Sequence, residues 1–194
     1  MPGREEQTMT IAGVERLVAM ADHAVAQGEV EKIVDELRAG LCELIRDGSV
    51  KLPDEFHQTC GDHYARRLVH RDDAQGYSVV AMTWGPGQAT PLHDHGGMWC
   101  VEGVWDGCID VQQYELIERR DNRFRFEKRN SFQAGTGSAG CLIPPHEYHR
   151  ICNPARETAI SIHIYGGDMS HCSVFEPENG GWYVRHDKAL GLDL

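Results

Sequence analysis

The stretch Thr90–Gly107, "TPLHDHGGMWCVEGVWDG", sets two histidines two residues apart and a cysteine five residues after the second. Alternate residues of a strand share one face, so His93 and His95 can grip one metal ion from the same side. Whether Cys100 joins that grip decides how much negative charge the metal carries. Around this stretch, from Tyr64 onward, short runs rich in β-branched and aromatic residues alternate with Gly, Pro and Asp breaks: "YARRLV", "YSVVAMTW", "CIDVQQYEL", "GCLIPP", "AISIHIYG". Many short strands in succession predict a closed or sandwiched antiparallel sheet.

Upstream, residues from about 9 to 48 read as helical. Ile11, Val14, Leu17, Val18 and Ala21 recur at helical spacing, as do Val30, Ile33, Val34, Leu37, Leu41, Leu44 and Ile45, with breaks at Gly28 and Gly48. The expected architecture is mostly β: an N-terminal helical layer over 1–56 on a small antiparallel, jelly-roll-like β-barrel over 57–194. The two parts form a single compact domain.

Composition bounds the function. Hydrophobic residues make up 41% of the chain's 194, enough for a core. The formal net charge of −11 argues against a nucleic-acid partner, since a phosphate backbone demands a basic face. No apolar run approaches the roughly 20 residues that span a bilayer, so no membrane partner is expected. "MPGREEQTMTIAGVERL" lacks the basic-then-apolar pattern of a signal peptide, and a cytoplasmic protein is the expectation. Seven cysteines at scattered spacings, with no CxxC, suggest reduced thiols rather than disulfides or a zinc knuckle. Oligomeric state is not legible.

The series Gly87, His93, His95, position 100 and Gly107 resembles the first motif of the cupin superfamily, except that Cys100 stands where a Glu ligand is usual. "PPHEYHRICN" resembles the second motif, with Pro144, His149 and Asn153 in place and His146 where a Gly is usual. The barrel is thus expected to be of cupin type. Its ligand set of His93, His95 and His149 has three neutral imidazoles and no carboxylate, and leaves about three octahedral positions open. Such a metal favours an anionic guest such as a thiolate. Iron(II) suits dioxygen activation, and zinc fits the same three ligands. His146 is the spare ligand should His149 fail; His63 reads as solvated or hydrogen-bonded.

"SIHIY" puts Ser161, His163 and Tyr165 on one strand face, with isoleucines on the other. Three inward polar groups need one another as partners, which suggests a hydroxyl–imidazole–phenol relay. In "YARRLV", Tyr64 and Arg66 share a face and Arg67 takes the other. A guanidinium beside a metal pocket can clamp a carboxylate through two bonds.

Taken in order, "YARRLV", "WGPGQATPLHDH", Cys100, "HRICN" and "SIHIYG" resemble the cysteine dioxygenase family of thiol dioxygenases. The resemblance implies one mononuclear non-haem Fe(II) per chain on His93, His95 and His149, with O2 as co-substrate. It implies an outer triad of Ser161, His163 and Tyr165, a substrate carboxylate on Arg66 with Tyr64 nearby, and a thioether between Cys100 and Tyr165. The implied reaction converts a small carboxylated thiol to a sulfinate, with L-cysteine as leading substrate. Relatives acting on 3-mercaptopropionate usually lack arginine at the position of Arg66 and take one from beyond the SIH strand. "GGDMSHCSVFEP" has none, although Arg185 in the tail could fold back. Arg67 and the region of His171 leave room for mercaptosuccinate. Rivals of another class are a non-enzymatic cupin that binds a ligand or senses a metal, and a zinc- or manganese-dependent isomerase or hydrolase.

Overall fold

The computed structural model of the protein describes residues 11–193. Two helices, α1 (Val14–Val25) and α2 (Val30–Asp47), and a 3-10 turn (Asp54–His57) precede eleven strands. These are β1 (Ala65–Asp72), β2 (Tyr77–Trp84), β3 (Leu92–His93), β4 (Cys100–Asp106), β5 (Cys108–Arg120) and β6 (Arg123–Gly135). There follow β7 (Ala139–Leu142), β8 (His149–Cys152), β9 (Ala159–Tyr165), β10 (His171–Glu178) and β11 (Trp182–Ala189). The helical reading from position 9 begins outside the described residues. Inside them the first helix starts at Val14, because Ala12 forms a β-bridge with Lys51. Gly28 lies between the helices. Gly48, at φ 62, ends α2 with its N–H on the Leu44 carbonyl, a left-handed stop that glycine adopts without strain.

One antiparallel sheet runs β1-β2-β9-β4-β7; the other runs β10-β11-β6-β5-β8-β3 and closes on itself through β3–β10 pairing. The five-stranded sheet is covered on both sides. Ile160, Ile162, Ile164, Val79, Ala81 and Val101 face the helices and bury Leu17, Leu37 and Leu41. Val80, Met82, Trp84, Cys100, Val104 and Tyr165 face into the barrel. This double burial leaves β2 and β9 buried at every position, and it places the alternating polar residues of β9 inside the barrel.

The motif ends meet: the Gly87 N–H donates to the Asn153 carbonyl at 3.0 Å, while Asn153 Nδ2 donates to the carbonyls of Trp84 and Glu157. Gly107 turns β4 into β5 at φ 77, and a Cβ there would come within 3.0 Å of the Thr158 carbonyl oxygen. No helix among the described residues is long and apolar enough to cross a membrane.

Candidate metal centre

His93 closes β3, His149 opens β8 directly opposite it, and His95 follows on the loop into β4. Their ring nitrogens lie within 4.8 Å of one another. His93 Nε2 and His149 Nε2 approach to 3.1 Å, and both nitrogens of buried His95 have no protein partner. With metal–nitrogen bonds of about 2.1 Å, two ligands at a right angle sit about 3.0 Å apart. Three convergent nitrogens, one of them orphaned and buried, fit a metal ion better than they fit one another. Burial disfavours the imidazolium in each case: His93 is pushed down to about 4, and His95 and His149 fall well below 6.5, with neighbouring His93 adding to the effect. The rings are therefore neutral at pH 7, the form that binds a metal. His146 is exposed on the preceding turn and outside the cluster.

Each ring has an oxygen behind its other nitrogen. The Pro91 carbonyl lies 3.1 Å from His93 Nδ1. Glu147 Oε2 accepts the His95 backbone N–H at 3.0 Å and lies 3.9 Å from His95 Nδ1. Glu102 Oε1 lies 3.7 Å from His149 Nδ1. Both glutamates are buried, and burial raises both pKa values, that of Glu102 to about 8.

Strand register assembles the remaining groups. Cys100, Glu102 and Val104 on β4 stand opposite Tyr165, His163 and Ser161 on β9. Trp84 Nε1 donates to Ser161 Oγ at 2.8 Å, and Ser161 Oγ lies 2.8 Å from His163 Nε2. Among the described residues no hydrogen bond joins His163 to Tyr165; their rings stack with centroids 6.0 Å apart. The chain of polar groups thus runs from Trp84 through Ser161 to His163 and points on to Glu102, whose Oε2 is 3.6 Å from His163 Nδ1. Cys100 and Tyr165, both buried, face each other across the strands, where Cβ atoms lie about 5 Å apart. Burial raises both of their pKa values well above normal, so both are neutral.

The pocket over the histidines is lined by Tyr64, Arg66, Tyr165, Met169, Lys188 and Leu190, among others. Tyr64 stacks on Trp84 at 4.4 Å. Arg66 is buried, with Nη1 donating to the Gly191 carbonyl at 2.7 Å and Nη2 to the Met169 carbonyl at 2.9 Å. Those two bonds leave its Nε–H without a partner. Asp193 holds this end of the chain: its Oδ2 accepts the Arg66 N–H at 2.8 Å, and its Oδ1 lies 2.9 Å from His63 Nε2. His63 is therefore part of a latch on the tail. Arg67 turns away to Thr83 and Gln58, and Arg185 pairs with Asp187 outside the pocket. The cation that joins Arg66 there is Lys188, a residue that pattern alone does not distinguish from a surface lysine.

A small antiparallel barrel holding three convergent histidines defines the molecule as a cupin with a metal site. Residues 52–178 match the family model of cysteine dioxygenase type I, and the chain belongs to that family. Cysteine dioxygenase type 1 of Rattus norvegicus is 21% identical over 118 residues, covering 60% of this chain and 58% of its own length. The Danio rerio protein is 23% identical over 119 residues with the same coverage. The chain thus spans less than two-thirds of the length of these curated relatives. Among solved structures, TT1209 of Thermus thermophilus aligns over 59% of this chain and 94% of its own, at 17% identity and a TM-score of 0.46.

Proposed function

We propose that the protein is a mononuclear iron(II) thiol dioxygenase that adds both atoms of O2 to the sulfur of a small carboxylated thiol, giving the sulfinate. The observation that carries this reading is a cluster of three neutral histidines, with no carboxylate among them, one of which, His93, lines the same pocket as buried Arg66. His93, His95 and His149 would hold the iron, which when bound supplies the redox chemistry that lets O2 react with a thiol. Three neutral ligands leave a divalent ion short of negative charge, and the substrate thiolate supplies it. Cys100, neutral and paired with Tyr165 across the strands, occupies the place of a carboxylate ligand without adding charge. Arg66, with N–H groups still unused, orients the substrate carboxylate. Tyr165 places a neutral phenol over the metal side of the pocket and can donate to oxygen or sulfur there.

L-cysteine is the leading substrate. A second reading has its own observation: Lys188 lines the pocket with Arg66, so two cations await the substrate, which suits a dicarboxylic thiol such as mercaptosuccinate. The test is oxygen uptake with cysteine, 3-mercaptopropionate, mercaptosuccinate and cysteamine after anaerobic loading with iron(II). A thiol-dependent uptake with sulfinate formed one-for-one is expected. No uptake with any thiol sinks the dioxygenase reading and leaves a binding or sensing cupin. The intact mass of the same samples reports a Cys100–Tyr165 thioether, formed with O2 as oxidant, as a loss of about two hydrogens.

A further inference from the structure

Among the buried side-chain atoms left without a partner, three lie together: His149 Nδ1, His163 Nδ1 and Glu102 Oε2. One carboxyl group faces both rings, at 3.7 Å from the first and 3.6 Å from the second. Buried polar atoms in native proteins are almost all satisfied, so three orphans within reach of one another mark bonds not yet closed. A movement of about 0.8 Å brings each pair to ordinary N–H···O distance.

The direction of both bonds follows from the neighbours. His149 turns Nε2 toward His93, so with a metal on Nε2 its proton sits on Nδ1. Ser161 Oγ already accepts the indole N–H of Trp84, so its own hydrogen is free to go to His163 Nε2. With that hydrogen given to Nε2, Nε2 is the acceptor and the His163 proton sits on Nδ1, where Glu102 is the facing oxygen. Two N–H donors therefore aim at Glu102, one at each oxygen.

We propose that Glu102 is a positioning residue: in the metal-loaded protein its two carboxylate oxygens accept the Nδ1–H of His149 and the Nδ1–H of His163. It thereby fixes the tautomer and tilt of a metal ligand and ties that ligand to the Ser161–His163 pair. The inference rests on the reading of His93, His95 and His149 as the metal site. Carboxylates behind metal-bound histidines commonly contribute about 10- to 100-fold in metal affinity. The site also has a structural reason to be Glu and not Gln, because an amide offers one acceptor and would oppose its NH2 to the second ring N–H.

The experiment compares the wild type with Glu102→Gln and Glu102→Leu. Dissociation constants for iron(II) are measured anaerobically against a chromophoric chelator. Imidazole tautomers are read by 15N NMR on the zinc(II)-loaded proteins, and melting of the apoproteins serves as the folding control. The expected result is metal binding weakened about 10- to 100-fold in both variants. In the wild type His149 and His163 both carry the proton on Nδ1, and in Glu102→Gln at least one of these resonances shifts. Glu102→Leu leaves two buried ring N–H groups without their acceptor, whereas Glu102→Gln keeps the shape and one acceptor, so a folded apoprotein with weakened metal binding in either variant separates positioning from mere packing. Iron affinity within twofold of wild type in both variants, or a wild-type His163 protonated on Nε2, overturns the proposal. A wild type that binds no metal, or a His149→Ala protein that binds it as well as wild type, overturns the site reading itself.

Discussion

Arg66 performs two tasks with one guanidinium. Its Nη atoms hold the Met169 and Gly191 carbonyls, its Nε–H has no partner, and the residue lines the pocket. Arg66→Ala should raise KM for a carboxylated thiol by about 10- to 100-fold, the worth of a charge-assisted bond of roughly 1.5–3 kcal/mol, while changing cysteamine kinetics far less. Steady-state oxygen uptake on both substrates checks this, and equal effects would show that Arg66 only anchors the tail. His93 and His95 are legible in sequence because HxH is a local pattern, although the strand expected to carry both ends at His93 and His95 lies on the loop beyond it. Glu102 is legible in principle, since "CVEGV" alternates and puts it on the face of Cys100. It is passed over because glutamate is rarely buried, and only the pairing of β4 with β9 shows what it meets. Lys188 and Asp193 carry no local signal, because they reach the site by long-range pairing of the tail.

At the scale of elements, α2 rests on β4 at a point that admits no side chain. A Cβ on Gly103 would come within 2.7 Å of Leu41 Cδ2 and 3.3 Å of Ile45 Cδ1. This glycine serves close approach, and the strand it sits on also carries Cys100 and Glu102. Gly103→Ala should destabilise by about 1–3 kcal/mol through overpacking. Leu41→Ala should cost about 2–5 kcal/mol through the cavity it leaves. In the double variant the new methyl occupies part of that cavity, so urea unfolding should show a loss smaller than the sum by about 1 kcal/mol. Strict additivity would mean that the helix does not press on the strand. The helices and their glycine breaks are readable from spacing alone. The tail is not: "WYVRHDKA" alternates like any strand, and nothing local says that it pairs with β10 and delivers Lys188 to the pocket.

For the whole molecule, the barrel interior is a concentration of histidines held neutral by burial, and this sets how the apoprotein responds to acid. His93 titrates near 4 and His163 near 3, with burial the leading cause, and His95 and His149 lie well below 6.5. In the unfolded chain all four return to about 6.5. Below that value the unfolded state binds more protons than the folded one, so stability falls as pH falls from about 6.5 toward 4. Each histidine contributes a slope of at most about 1.4 kcal/mol per pH unit. Glu102, raised to about 8 by burial, acts in the opposite sense: its contribution is present below its unfolded value near 4.5 and lost as pH rises through 8. One glutamate against four histidines leaves the acid side dominant. Thermal melting of the apoprotein should therefore drop steeply between pH 6.5 and 4. Metal bound only to the folded state should hold the midpoint up at pH 6.5 and release it as protons displace it at lower pH. An apoprotein whose melting temperature is flat across that window would show that these rings are not held neutral in the fold.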